Sequence, residues 1–216
     1  FGNEVNTIST TVLSEGTIKV IPNLNGCVGK ERVINIGIKP PLVDVTNVGP
    51  YVYCQGDVST QLSVSPLNGA TLNWYTNSTG GIPLSTPPVP STAIPGIQNY
   101  YVSQTLNGVE SDRVEIVVVV KPLPAQPSSI SGKSAPADNS TEVYAVNFTN
   151  GIEYSWTVPL NWTIQSGTGN ATISQNQVSG AGVNSITTTI NGAGTIRVIP
   201  TLNACVGIAQ TLIVGI

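Results

Sequence analysis

Apolar and polar residues alternate along this chain in short runs separated by turn-forming clusters, the pattern of strands that bury one face. In Gln61-Leu62-Ser63-Val64 and Thr71-Leu72-Asn73-Trp74-Tyr75 the alternation puts Leu62 with Val64, and Leu72 with Trp74, on one face each. Strand-like runs also cover residues 5–12, 17–21, 33–38, 99–104, 113–120, 141–146, 154–158, 162–165, 185–190, 195–199 and 211–214. The clusters between them are rich in Gly, Asn, Ser and Pro, and Asn107-Gly108 is the signal of a two-residue hairpin. An all-β chain with almost no helix follows. Two cores are expected, one from Leu62, Val64, Leu72, Trp74 and Tyr101, the other from Val146, Tyr154, Trp156, Ile186 and Val198.

The pattern repeats. Residues 16–29, GTIKVIPNLNGCVG, return as GTIRVIPTLNACVG at 194–207. A shift of about 178 residues aligns 2–38 with 180–216 without a gap, at roughly half identity. Residues 39–216 therefore read as one complete repeating unit and residues 1–38 as the tail of the unit before it. Two proline-spaced stretches, Lys39-Pro40-Pro41 and Lys121-Pro122-Leu123-Pro124-Ala125-Gln126-Pro127, cannot continue central strands and read as stiff joints that set bend and reach. They divide the chain into 1–38, 39–122 and 123–216. In the second copy the repeated stretch follows residues carrying Val143, Val146, Tyr154, Trp156, Trp162 and Ile164, which should cover its apolar face. Nothing in the chain supplies that cover twice. Residues 1–38 are thus expected to be an incomplete domain. Ile8, Val12, Ile18, Val20 and Ile34 would stay bare unless preceding residues of the same polypeptide, or a neighbouring chain, supply the missing strands.

Charged residues are only 9% of the chain and the net charge of −3 is unclustered, so neither nucleic acid nor an anionic membrane is indicated as a partner. The longest apolar run, 114–120, contains Glu115 and is too short to cross a bilayer, so no membrane insertion is expected. The chain has no histidine, which removes the commonest general base and metal ligand together. No enzymatic activity, metal or cofactor is expected. Glu110 and Asp112, two apart on a strand edge, are either a weak cation site or, more simply, part of a solvated turn. Residues 167–169 and 192–194 are glycine-rich but do not lie between a strand and a long helix, so they read as turns and not as phosphate cradles. Of the three tryptophans, Trp74 and Trp156 alternate with polar neighbours and read as core. Trp162, following Pro159-Leu160-Asn161, stays open between packing and stacking on a sugar. The three cysteines, Cys27, Cys54 and Cys205, cannot all pair within the chain, and two of them are one repeat position seen twice. Each is either a small buried apolar residue or the remnant of a disulfide.

The motifs YCQGDVSTQLSV, TLNWYTNSTGGIPLSTPPVP and NYYVSQTLNGVESDRVEIVV between residues 53 and 120 closely resemble the Ig-like domains repeated in giant secreted proteins of the Bacteroidota. PSSISG, YSWTVPLNWTIQSGTGNATI and GTIRVIPTLNACVG between 127 and 216 are similar to the PKD-like domains that alternate with them. The resemblance implies tandem Ig-like and PKD-like β-sandwiches in an extended rod. In this reading 39–122 is the Ig-like domain, 123–216 the PKD-like domain, and 1–38 the C-terminal part of another PKD-like domain. It also implies an extracellular, cell-surface adhesin, gliding filament or stalk exported through the type IX system, its partners the neighbouring repeats of the same polypeptide or neighbouring fibre chains. The alternative is a carbohydrate-binding accessory module of a secreted polysaccharide-degrading enzyme, with Trp162 and nearby loops facing a surface polysaccharide. The Ig-like family usually carries a second cysteine where this chain has Gly108-Val109-Glu110-Ser111, and the PKD-like family one where it has Ala135-Pro136-Ala137. By that comparison Cys27, Cys54 and Cys205 are expected to be unpaired, with Cys54 and Cys205 buried and slow to react.

Overall fold

The computed structural model describes residues 15–44 and 51–216, and all of its regular elements among these residues are strands. The run at 5–12, with Ile8 and Val12, lies outside the described residues. The chain forms two compact units. The first comprises Phe1–Tyr51, Thr60–Pro90 and Gln98–Val118, the second Val52–Ser59, Ser91–Ile97 and Val119–Ile216.

At the start of the described chain, β1 (Gly16–Val20), β2 (Asn23–Leu24), β3 (Cys27–Val28) and β4 (Arg32–Ile36) make two small antiparallel pairs. The ladder β1–β4 runs from Gly16 opposite Ile36 to Val20 opposite Arg32. The hairpin β2–β3 turns through Asn25 and Gly26, whose φ values of 49° and 81° are the two positive angles of a tight type I′ connection. Glycine takes the second angle without cost, because it has no Cβ to clash there.

Next come β5 (Tyr51–Cys54), β6 (Thr71–Tyr75), β7 (Gly96–Leu106), β8 (Val109–Glu110) and β9 (Val114–Lys121). Four of them lie side by side in the order β5, β9, β7, β6, and β8 folds back on β7 through Asn107-Gly108, the turn the sequence predicts. Leu62, Val64 and Trp74 are buried as expected, together with Val102, Ile116 and Val118. Leu72 and Tyr101, expected in the same core, are only half-buried. Tyr101 turns its hydroxyl to Glu115 at 3.0 Å, and Leu72 sits opposite Gln104, whose amide is used by the loops. Strict alternation fails here because both faces of β7 are covered: Val102, Ser103 and Gln104 are consecutive and all buried. Residues 61–64 also depart from expectation. They bury Leu62 and Val64 without forming a strand, since the segment they face contains Pro87, Pro88 and Pro90, which have no N–H to donate. Leu62 N donates to Pro88 O at 2.9 Å across the two segments.

The second unit adds β10 (Thr141–Ala145), β11 (Glu153–Thr157), β12 (Thr163–Gly167), β13 (Thr172–Ser174), β14 (Gln177–Ala181), β15 (Ser185–Thr189), β16 (Gly194–Leu202), β17 (Cys205–Val206) and β18 (Gln210–Val214). One sheet has the order β10, β15, β12; the other runs β13, β14, β11, β16, β17, with β18 also on β16. Side chains from both sheets interdigitate in one core: Tyr144, Ile164 and Ile186 from the first, and Tyr154, Trp156, Val178, Ile196, Val198 and Val214 from the second. This is a β-sandwich. All five residues expected in this core, Val146, Tyr154, Trp156, Ile186 and Val198, are buried.

Candidate functional site: a disulfide beside a proline joint

The second unit contains a second copy of the early hairpin. Its turn, Asn203-Ala204, again has two positive φ angles, 50° and 69°, and places Cys205 opposite Leu202 at the head of β17. Gly207 N donates to Pro200 O at 2.8 Å and closes the loop. Cys205 has no exposed surface. Its sulfur is bonded to that of Cys54, 151 residues earlier, with the two Cα atoms 5.5 Å apart.

Cys54 ends β5 and is held from both sides by its own turn. Its N–H donates to Asp57 Oδ2 at 2.7 Å, and Asp57 N donates to Cys54 O at 3.1 Å. The next residues are tied to neighbouring backbone: Gln55 N to Lys121 O at 2.8 Å, Gln55 Nε2 to Ala93 O at 3.1 Å, and Gly56 N to Thr92 O at 3.0 Å. Thr92 Oγ1 donates to Asp57 O at 2.6 Å.

The joint at 121–127 docks on the same hairpin. Lys121 Nζ donates to Asn203 O at 3.1 Å, and Gln126 Nε2 donates to Ala209 O at 2.9 Å. Pro124 is buried against Gly207, where an added Cβ would lie 2.7 Å from Pro124 Cγ and 2.9 Å from Pro200 Cγ. Glycine is required there by close approach alone. Pro122 is exposed and Pro127 half-buried.

The pairing of Cys54 with Cys205 corrects the expectation that both are free. That expectation follows from the missing second cysteine inside each module. A signal was present nonetheless: one cysteine per module leaves each without an internal partner, so any bond must join modules. Cys27, the repeat counterpart of Cys205, is a free and exposed thiol.

Trp162 does not offer a sugar platform. It is buried, stacks with Tyr144 at 6.5 Å between ring centroids, and donates Nε1–H to Gly192 O at 3.0 Å. Both the ring face and the polar edge are in use.

In the first unit, Lys39 pairs with Asp112, Pro40 is buried, and Pro41 O accepts from Gln104 Nε2 at 2.9 Å. Glu110 accepts hydrogen bonds from Ser103 Oγ and from Tyr75 OH, the latter at 2.7 Å. The Arg113 guanidinium lies over the Tyr75 ring, 3.2 Å from its centroid. Hydrogen bonds from Ser103 and Tyr75, with Arg113 and Lys39 nearby, hold Glu110 below the usual carboxylate range despite partial desolvation. Tyr75 is pushed up, first by burial and then by Glu110, and stays a donor. The two carboxylates thus serve different protein partners, and no cluster of three metal-ligating side chains occurs among the described residues.

Residues 39–122 match the family model of the Ig-like domain, CHU_C associated, and residues 123–178 match that of the PKD-like domain. The chain is thus similar to an Ig-like domain over one stretch and to a PKD-like domain over the stretch that follows it. The Cys54–Cys205 bond therefore starts in the Ig-like stretch and ends beyond the stretch matched as PKD-like. No curated protein matches the sequence. Among solved structures, the fibronectin domains FN1–FN3 of chicken CNTN1 are 10% identical, with 93% of this chain and 75% of that one covered at a TM-score of 0.37. Domains A168–A170 of titin are 12% identical, with 91% and 72% covered at 0.42. The C-terminal domain of the Streptococcus agalactiae AgI/II polypeptide BspA is 7% identical, with 59% and 61% covered at 0.33.

Proposed function

We propose that this chain is a load-bearing repeat segment of a long extracellular protein, an adhesin, fibre or stalk on a bacterial surface, and that the Cys54–Cys205 disulfide is its working part. The bond carries the reading through connectivity alone. Tension applied at the chain ends runs along the backbone to Cys54, crosses the S–S bond and leaves from Cys205. Residues 55–204, most of both domains, then lie in a loop that bears no load. A non-covalent strand ladder would have to resist the pull itself; here it is spared.

Two further features support the reading. Disulfides persist in oxidising compartments and are rare in the cytosol, which favours an extracellular location. The near-exact return of residues 16–29 at 194–207 is the mark of an array whose partners are neighbouring repeats of one polypeptide. Export through the type IX system of a Bacteroidota bacterium, with adhesion or gliding as the task, is the finer form of the proposal, supported by the likeness of the motifs. The carbohydrate-binding alternative has lost its residue, because Trp162 is buried.

The test is to stretch the chain between its ends by single-molecule force spectroscopy. Oxidised, unfolding should leave the loop locked. With dithiothreitol the final contour should lengthen by roughly 500 Å, from 151 residues at about 3.3–3.6 Å each. Equal lengths in both conditions would refute the load-bearing role.

A further inference from the structure

The two copies of the hairpin can be compared directly, because one has its cover and the other does not. Around Cys205 the cover consists of the cysteine that ends β5 and a proline of the following joint, Pro124, seated on Gly207. Around Cys27 the same local structure is present. Asn25-Gly26 has the same pair of positive φ angles, Gly29 N donates to Pro22 O at 2.7 Å as Gly207 N does to Pro200 O, and Cys27 sits opposite Leu24 as Cys205 sits opposite Leu202. Yet Cys27, Leu24 and Gly29 are all exposed. The nearest atoms to an added Cβ on Gly29 all belong to Pro22, whereas those nearest to one on Gly207 belong to Pro124 and Pro200.

We infer that Cys27 forms a disulfide with the Cys54-type cysteine of an Ig-like module lying N-terminal to it in the same polypeptide, with that module's proline joint seated on Gly29. The partner is identified by what the occupied copy holds. It must offer a cysteine at the end of a strand and, about 70 residues further on, a proline joint like that at 121–127. A second molecule of this chain fits poorly, since its own Cys54 is already bonded to Cys205. In forming the bond each thiol loses one proton and one electron. The two electrons and two protons reduce the disulfide of a thiol–disulfide oxidoreductase to its dithiol.

This inference rests on the load-bearing reading and deepens it. With both bonds in place, tension enters each repeat at Cys27 and leaves at Cys54. Only about 27 residues of every 178 or so carry load, a span of at most about 90–100 Å. The disulfides would then form a continuous covalent path along the array.

The experiment takes the full-length natural polypeptide that contains this chain, blocks free thiols without reduction, digests it and identifies linked peptides by mass spectrometry. The expected result is a Cys27 peptide joined to a cysteine peptide of an Ig-like module from the same polypeptide, in protein that runs as a monomer without reductant. Cys27 recovered blocked, joined to another Cys27, or joined to a different protein would overturn the inference. The same digest reports the Cys54–Cys205 peptide, so loss of that bond, which would undercut the proposed function, is distinguished from failure at Cys27 alone. In a full-length Cys27→Ser variant the Cys54–Cys205 peptide should persist, while the contour under force should grow by roughly 500 Å without any reductant. An unchanged contour would also overturn the inference.

Discussion

Ile18 and Ile196 occupy the same place in two copies of one sequence, and their surroundings differ completely. Both belong to a five-residue ladder with the same register: Gly16 opposite Ile36 in one copy, Gly194 opposite Val214 in the other. Ile196 and Val198 are fully buried. Ile18 is half-buried and Val20 is 46% exposed, while Leu24 and Ile34 are exposed outright. The difference lies in what pairs with the strand. β16 has β11 on one side and β18 on the other, and β11 belongs to a sheet backed by β10, β15 and β12. Among the described residues β1 pairs with β4 alone. Local structure is thus maintained in both copies, while burial follows from strands that are distant in sequence.

The largest effect expected is at the cysteines. Closing a loop of 151 residues stabilises by up to about 5 kcal/mol through the entropy it removes from the unfolded chain. The double variant Cys54→Ser, Cys205→Ser should therefore lower the urea midpoint of the second unit by the equivalent of about 2–5 kcal/mol, whereas Cys27→Ser in the same 216-residue chain should change stability by less than about 0.5 kcal/mol. Equal effects at Cys27 and Cys205 would erase the distinction between the copies.

Next come the paired isoleucines. Ile196→Ala should cost about 2–5 kcal/mol, and Ile18→Ala less than about 1 kcal/mol, because only the former leaves a cavity in a closed core. Amide exchange sharpens this further: residues 194–214 should be protected to near the global unfolding limit and residues 16–36 should exchange much faster. Equal protection in a dilute monomer would show that the first copy folds without cover.

Acid distinguishes the units by another route. The folded-state pKa of Glu110 is lowered from the ordinary 4.5, first by the Ser103 hydrogen bond. Its contribution is therefore present above the unfolded pKa and is lost as pH falls below about 4.5 toward the folded value. Glu110→Gln should flatten the acid limb of the first unit's urea midpoint and leave that of the second unit in place. An unaltered acid limb in the first unit would assign the sensitivity elsewhere.

The smallest effect concerns the turns. Ala204 holds a positive φ of 69°, which costs an L-residue about 1–2 kcal/mol, where the first copy has Gly26. Ala204→Gly should stabilise the second unit by about 0.5–1 kcal/mol after the extra flexibility of glycine in the unfolded chain is counted, and Gly26→Ala should do the reverse locally. Thermal unfolding of the variants checks both signs.

By itself the sequence determined what the chain does over short distances. Alternation and Asn-Gly turns marked the strands and hairpins, and the period marked the copies. These are legible because backbone angles and ladder bonds are set by residues close along the chain, which is why the two hairpins agree so closely. Residues 61–64 alternate yet form no strand because their neighbours are prolines downstream, and Leu72 and Tyr101 leave the core because a strand covered on both faces does not alternate. The site was less legible than the fold. The sequence leaves Trp162 open between packing and stacking because its place depends on Tyr144 and Gly192, and leaves Cys54 without a partner because that partner lies 151 residues away. Only the tertiary structure could decide which apolar face is covered and which thiol is bonded. Burial and disulfide formation require groups remote in sequence to be brought within contact, and no local preference encodes that distance.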